Sequence, residues 1–226
     1  MKKLRKLIVL MLAAAMLLCL TGCGAKSELV GKWKAVLAIG PTIAAEIDEG
    51  ANETATESGY DATTLPSAAD YLSDITMAYH LDLKSDGTYK LYIDSDTLKV
   101  DLRNAFGEWC VALYINMFQQ AGINVNAYGS TDKERVEAIM GSSIEETVDE
   151  MLNELDDVFN YEAEGKYTAS NGKLCLSAGL DYRPDSSMYY TYTLGSGEFT
   201  MSDPLNIDEG MEWAYPMTMS YVGAAD

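Results

Sequence analysis

Apolar and polar residues alternate near the start of the chain and through its last third, whereas the middle repeats its apolar positions with a period of about 3.6 residues. Val30 to Leu37 sets Trp33, Ala35 and Leu37 on one face and Lys32 and Lys34 on the other, as one strand with one covered side would. The strongest alternation is MAYHLDLKSDGTYKLYID, residues 77–94. With Ser85, Asp86 and Gly87 as a three-residue loop, Leu83 faces Tyr89, Leu81 faces Leu91 and Tyr79 faces Ile93. A two-residue loop would instead set Leu83 against Lys90, so the apolar pairing selects the longer one.

Two further hairpins are expected from their turn residues. Asn171-Gly172 sets Tyr167 against Leu176 and Ala169 against Leu174, and Gly195-Ser196 sets Tyr192 against Phe199 and Tyr190 against Met201. The closing stretch MEWAYPMTMSYV carries Trp213, Tyr215, Met217, Met219 and Tyr221 on one side, with Pro216 placing it at an edge or a closing seam. Eight strands result, at about 30–38, 76–84, 88–95, 161–169, 173–180, 187–194, 197–203 and 211–222. Between the third and fourth, Leu102, Phe106, Trp109, Leu113 and Met117, then Val148, Met151, Leu152, Leu155 and Val158, recur at helical spacing. Thr131-x-x-Glu134 and Ser143-x-x-Glu146 are capping boxes, so a helical insertion is expected at about 100–160. Residues 40–73, acidic and rich in Ala, Thr, Gly and Ser, read as a long mobile loop with a helical turn near Ala68 to Leu72.

The first 22 residues read differently. Lys2, Lys3, Arg5 and Lys6 precede the uncharged apolar run Leu7 to Leu20, which has secretory-signal length and is short for a membrane span. Leu20-Thr21-Gly22-Cys23 resembles the lipobox of bacterial lipoproteins. That resemblance implies a signal peptide at 1–22, a diacylated Cys23 as the new N-terminus, and a tether at 23–28. Two acyl chains suffice for stable attachment, which places the protein on the outer, extracytoplasmic face of the cell membrane.

Charge and chemistry narrow the functions. The chain has 16 basic and 35 acidic residues; four of the basic ones leave with the signal, so 12 face 35 and the mature net charge is −23. Such a surface repels phosphate backbones and anionic headgroups, which excludes nucleic acid as a partner and leaves anchoring to the lipid. Its plain use is solubility. Of four cysteines, Cys19 belongs to the signal and Cys23 to the lipid, so only Cys110 and Cys175 remain, as buried thiols or as a bridge. No metal spacing and no cofactor motif is present, and Asp94-x-Asp96 and the Asp203 to Glu209 loop lack the calcium-loop pattern. His80, the one histidine, lies on the strand face opposite Tyr79 and Leu81. No catalytic residue is assigned, and the chain is not expected to be an enzyme.

Eight antiparallel strands joined by hairpins match an up-and-down barrel. With Gly31-Lys32-Trp33 on the first strand and Asp86-Gly87-Thr88-Tyr89 in the hairpin after it, the chain resembles the lipocalin-like bacterial lipoproteins. The expected fold is therefore mainly β (α+β): a lipocalin-like barrel or half-barrel over 29–226 carrying the helical insertion. The resemblance implies that Trp33 closes the barrel floor. Two roles follow. In one, Trp33, Tyr79, Leu81, Leu91, Tyr192, Phe199, Met217 and Met219 line an interior that takes a small hydrophobic ligand. In the other, those side chains fill the interior, and the protein serves as an envelope interaction or scaffold protein with a protein partner.

Overall fold

The structure is a computed structural model that describes residues 28–153, 155, 159–202 and 214–225. The signal segment, Cys23, Val158, the 203–209 loop and Trp213 lie outside the described residues. Among those described, no helix is long and apolar enough to cross a membrane.

Eight strands form a closed antiparallel barrel in sequence order: β1 (Gly31–Ala38), β2 (Thr76–Leu83), β3 (Thr88–Asp94), β4 (Glu162–Ser170), β5 (Lys173–Leu176), β6 (Tyr190–Leu194), β7 (Glu198–Ser202) and β8 (Met217–Gly223). β8 closes the ring on β1, with Trp33 opposite Tyr221 and Lys34 opposite Ser220, so the sheet has no free edge and the half-barrel alternative is set aside. Pro216 stands immediately before β8, where its missing N–H takes no bond from the ladder.

Two of the three tight turns have the expected register. Lys84 N–H donates to the Thr88 carbonyl at 2.9 Å and Gly87 N–H to the Lys84 carbonyl at 3.1 Å, so the loop holds Ser85, Asp86 and Gly87. Gly87 sits at φ +86°, a left-handed position where a Cβ would be strained. Asn171 and Gly172 both have positive φ, +52° and +72°, as a two-residue hairpin turn with right-handed strand twist requires. Tyr167 pairs with Leu176 and Ala169 with Leu174 across it.

The third turn is a correction. The loop is Ser196-Gly197, with Gly197 at φ +78° and Gly195 N–H bonded to the Glu198 carbonyl at 2.9 Å. Tyr192 therefore pairs with Met201, and Leu194 with Phe199. The glycine able to take positive φ is the second of the two, which moves the register by two residues. An even shift changes neighbours but not faces, so Tyr192, Phe199 and Met201 still share a side.

The chain separates into two compact units interleaved in sequence, one built from the barrel segments and one from Val36–Ala78 with Ile93–Tyr161. The second unit contains α1 (Gly40–Glu57), α2 (Ala69–Leu72), α3 (Ser95–Gln120), α4 (Asp132–Met140) and α5 (Ile144–Asn153). Its core joins Leu72, Leu98, Leu102, Phe106, Trp109, Val136, Ile144, Val148 and Leu152. In α3, Leu98 to Cys110 are buried at helical spacing, whereas Leu113 and Met117 are half-buried. Trp109 donates its indole N–H to the Pro66 carbonyl at 3.3 Å. Thr131 caps α4 in a full capping box, and Ser143 with Glu146 makes the reciprocal pair at the start of α5.

α1 overturns the loop expected at 40–73. Pro41 lies in its first turn, where a proline costs no helical hydrogen bond, and the small Ala44 and Ala55 are its buried contacts. A Cβ on Gly40 would come within 1.8 Å of the Leu72 carbonyl oxygen, so only glycine permits this approach.

Candidate functional site

The eight residues expected to line the barrel interior do share its inner face. Trp33, Tyr79, Leu81, Leu91, Phe199, Met217 and Met219 are all buried, the last three at 0 to 1% exposure, and Tyr192 is half-buried. Trp33 and Phe199 lie 5.4 Å apart between ring centroids, and Tyr192 and Phe199 5.7 Å apart. Leu83, Tyr89, Tyr167, Ala169, Leu174 and Met201 also belong to this core. They come from three different hairpins, and only closure of the ring brings them to one place.

This packing decides what the interior can hold. A side chain lining a ligand-sized void presents surface to water inside it. Leu81, Leu83, Leu174, Phe199 and Met219 present none, so the lumen around them is filled by protein. Three aromatic side chains of the core spend their polar atoms on the backbone. Trp33 donates its indole N–H to the Leu29 carbonyl at 2.8 Å, Tyr89 its hydroxyl to Ser177 at 2.6 Å, and Tyr167 its hydroxyl to Lys84 at 3.0 Å. Burial, with a smaller contribution from the Asp86 charge, pushes the Tyr167 phenol up to about 12. Tyr192 is raised by burial and then by the Glu28 charge. Tyr221, expected inside with the methionines, is 47% exposed and packs edge-on against Trp33 at 5.4 Å.

The second unit holds a concave feature that has no sequence signature. A cleft of about 710 Å³ opens among α2, α3, α4 and α5. Ile144 and Val148 form a buried floor, with half-buried Tyr71 and Val111 beside it. Exposed Arg103, Lys133 and Glu145 stand at its mouth. Arg103 is paired with Asp149 at 2.5 Å; Lys133 is bonded to Glu145 and lies 3.7 Å from Glu137. Those bonds raise Lys133 and lower Glu145 from their ordinary values. Both cations are thus neutralised within the fold, and the cleft offers apolar contact under a polar rim that also carries Glu108 and Asp132.

Elsewhere the reactive residues are quiet. Cys110 and Cys175 are both free and buried, which resolves the open question of a bridge, and burial lifts the Cys110 thiol to about 11, far from a nucleophilic thiolate. His80 stacks on Tyr92 at 4.8 Å with the rings nearly parallel. No group of three metal-ligating side chains occurs among the described residues. No protein-family model, curated protein or solved structure matches this chain.

Proposed function

We propose that the chain is an exported bacterial lipoprotein, anchored through Cys23 to the outer face of the cell membrane, whose lipocalin-like barrel is a filled scaffold rather than a ligand carrier. Its work is non-catalytic: the barrel gives a rigid, edge-free mount, and the helical unit carries the cleft that an envelope partner would use. The observation behind this reading is the absence of exposed surface on Leu81, Phe199 and Met219. A ligand of ordinary size needs about 300 Å³ or more, and making that room would expel several of these side chains from well-packed positions. The membrane anchor rests on the charged start, the apolar run and the LTGC segment.

Native mass spectrometry of the mature protein purified from a bacterial membrane tests both parts. The expected spectrum has the chain beginning at Cys23 with a diacylglyceryl increment, and no further lipid-like mass released on activation. A Cys23→Ala variant is expected to leave the membrane fraction. A releasable hydrophobic mass, or a thermal shift with fatty acids, sterols or tetrapyrroles, would restore the carrier role.

A further inference from the structure

The second half of α3 is more apolar than its surroundings can hide. From Val111 to Phe118 it reads VALYINMF, apolar or aromatic at every position but Asn116. All eight of these residues are only half-buried. A helical segment that is apolar all round is ordinarily enclosed, so this one keeps apolar surface for a partner to cover.

Two concavities share this helix. The cleft of about 710 Å³ and a second hollow of about 300 Å³ meet at Ala112 and Asp132, which line both. From α3 the first takes Asn104, Glu108 and Val111, and the second takes Ile115 and Gln119. Those positions follow one another at steps of three and four residues, so they form one face. Arg103 to Gln119 rises about 24 Å at about 1.5 Å per residue, which makes the two hollows a continuous groove. Thr64, Pro66 and Tyr71 line it from the segment ahead of β2, and Ile144 and Val148 from α5.

The charges at the groove do not balance. Arg103, Lys133, Glu108, Asp132 and Glu145 line it, and Asp149, Glu137 and Arg135 are their further ion-pair partners. Three cations stand against five carboxylates, which leaves −2. None of the three is spare, because Arg103 holds Asp149, Lys133 holds Glu145 and Arg135 holds Asp132. Glu108 is exposed and has no ion pair among the described residues.

We propose that this groove seats a cationic amphipathic helix of an envelope protein, its apolar side chains entering over Gly107 and Ala112 and its lysines or arginines turned to Glu108 and the acidic rim. The inference rests on the reading of the helical unit as the part that meets a partner. Gly107 opens the hollow, since a Cβ there would meet no atom within 4 Å. An amphipathic helix anchors through side chains at i, i+3, i+4 and i+7, and about 24 Å of groove takes roughly sixteen helical residues. A second copy of this chain, with 35 acidic residues against 16 basic, brings like charge to the same face and is disfavoured.

Fluorescence anisotropy of the mature chain carrying Cys23→Ala, free of acyl chains and detergent, tests this with three labelled peptides of about eighteen residues. One has leucines at helical spacing and lysines on the opposite face, one has the same residues scrambled, and one has glutamate in place of lysine. The first is expected to bind at least about tenfold more tightly than either of the others and to slow amide exchange across residues 103–119. Gly107→Trp fills the hollow and favours the helix, so it should keep the melting temperature and weaken that peptide about tenfold or more. Glu108→Lys should weaken it about threefold at low salt and less at high salt. Equal binding by the scrambled peptide, or binding unchanged in Gly107→Trp, overturns the proposal. Tight binding of the glutamate peptide that Gly107→Trp abolishes also overturns it, but leaves the cleft as a partner site. A dimer that forms with rising concentration and is lost in Gly107→Trp gives the face to a second copy and overturns it too. The anchor and the filled barrel stand or fall separately, by the native mass spectrum.

Discussion

The two units solve the problem of an acidic chain in opposite ways. The barrel buries its aromatic and methionine side chains completely and leaves several lysines unpaired on its outer wall. The helical unit ties its cations to neighbouring carboxylates and leaves an open concavity among its helices. A closed ring of strands has one interior and no edge, so the side chains must fill that space or leave it empty, and here they fill it. Packed helices meet along ridges, which leaves grooves between them whenever the side chains are short, as at Gly107 and Ala112. The barrel is therefore the stiff part, and the helical unit presents the shape.

The contrast breaks most readily at the packed interior. Phe199→Ala removes a ring with no exposed surface and should cost about 3–5 kcal/mol in chemical denaturation. The half-buried Val111→Ala at the cleft should cost under about 1.5 kcal/mol, because part of that site is already open to water. Equal losses would contradict the division into a filled and an open region.

Trp33→Phe keeps most of the apolar bulk but strands the buried Leu29 carbonyl, with an expected loss of about 1–3 kcal/mol. Thr131→Ala removes the side-chain half of the α4 capping box and should cost about 1 kcal/mol, read as a lower denaturation midpoint with an unchanged slope.

The smallest effects are electrostatic. Tyr167 holds its proton more tightly folded than unfolded, so its contribution is full below the ordinary phenol value of 10 and is lost as pH rises through about 12. Spectrophotometric titration should find Tyr167 among the tyrosines that ionise late, with Tyr192 and Tyr114, and Tyr167→Phe should remove one tyrosine from that late phase. Glu145, lowered by its bond to Lys133, contributes above its ordinary value of 4.5 and loses that contribution as pH falls through the depressed value. In Lys133→Met its carboxyl should titrate higher by NMR, and because the pair is exposed, salt should erase most of the difference.

Much of the barrel could be read from particular residues. Asn171-Gly172 and Ser85-Asp86-Gly87 specify their turns because few residues tolerate positive φ, and each turn then sets which side chains share a face. Gly195-Ser196-Gly197 held two candidate glycines, and apolar pairing could not choose between registers two residues apart. The helix at Gly40–Glu57 was missed because its Ala, Thr and Gly positions carry little amphipathic contrast; its buried side chains are alanines. The cleft has no motif because its walls come from separate helices, each of which looks like an ordinary surface alone.

By itself, the sequence determined the turns, the inward side of each strand, and the helix starts at Thr131 and Ser143. Those features depend on backbone preferences within a few residues. Only the tertiary structure decided that the ring closes between β1 and β8 and that its lumen is full. These are sums over residues far apart in the chain, where volumes and charges combine only after the strands have met.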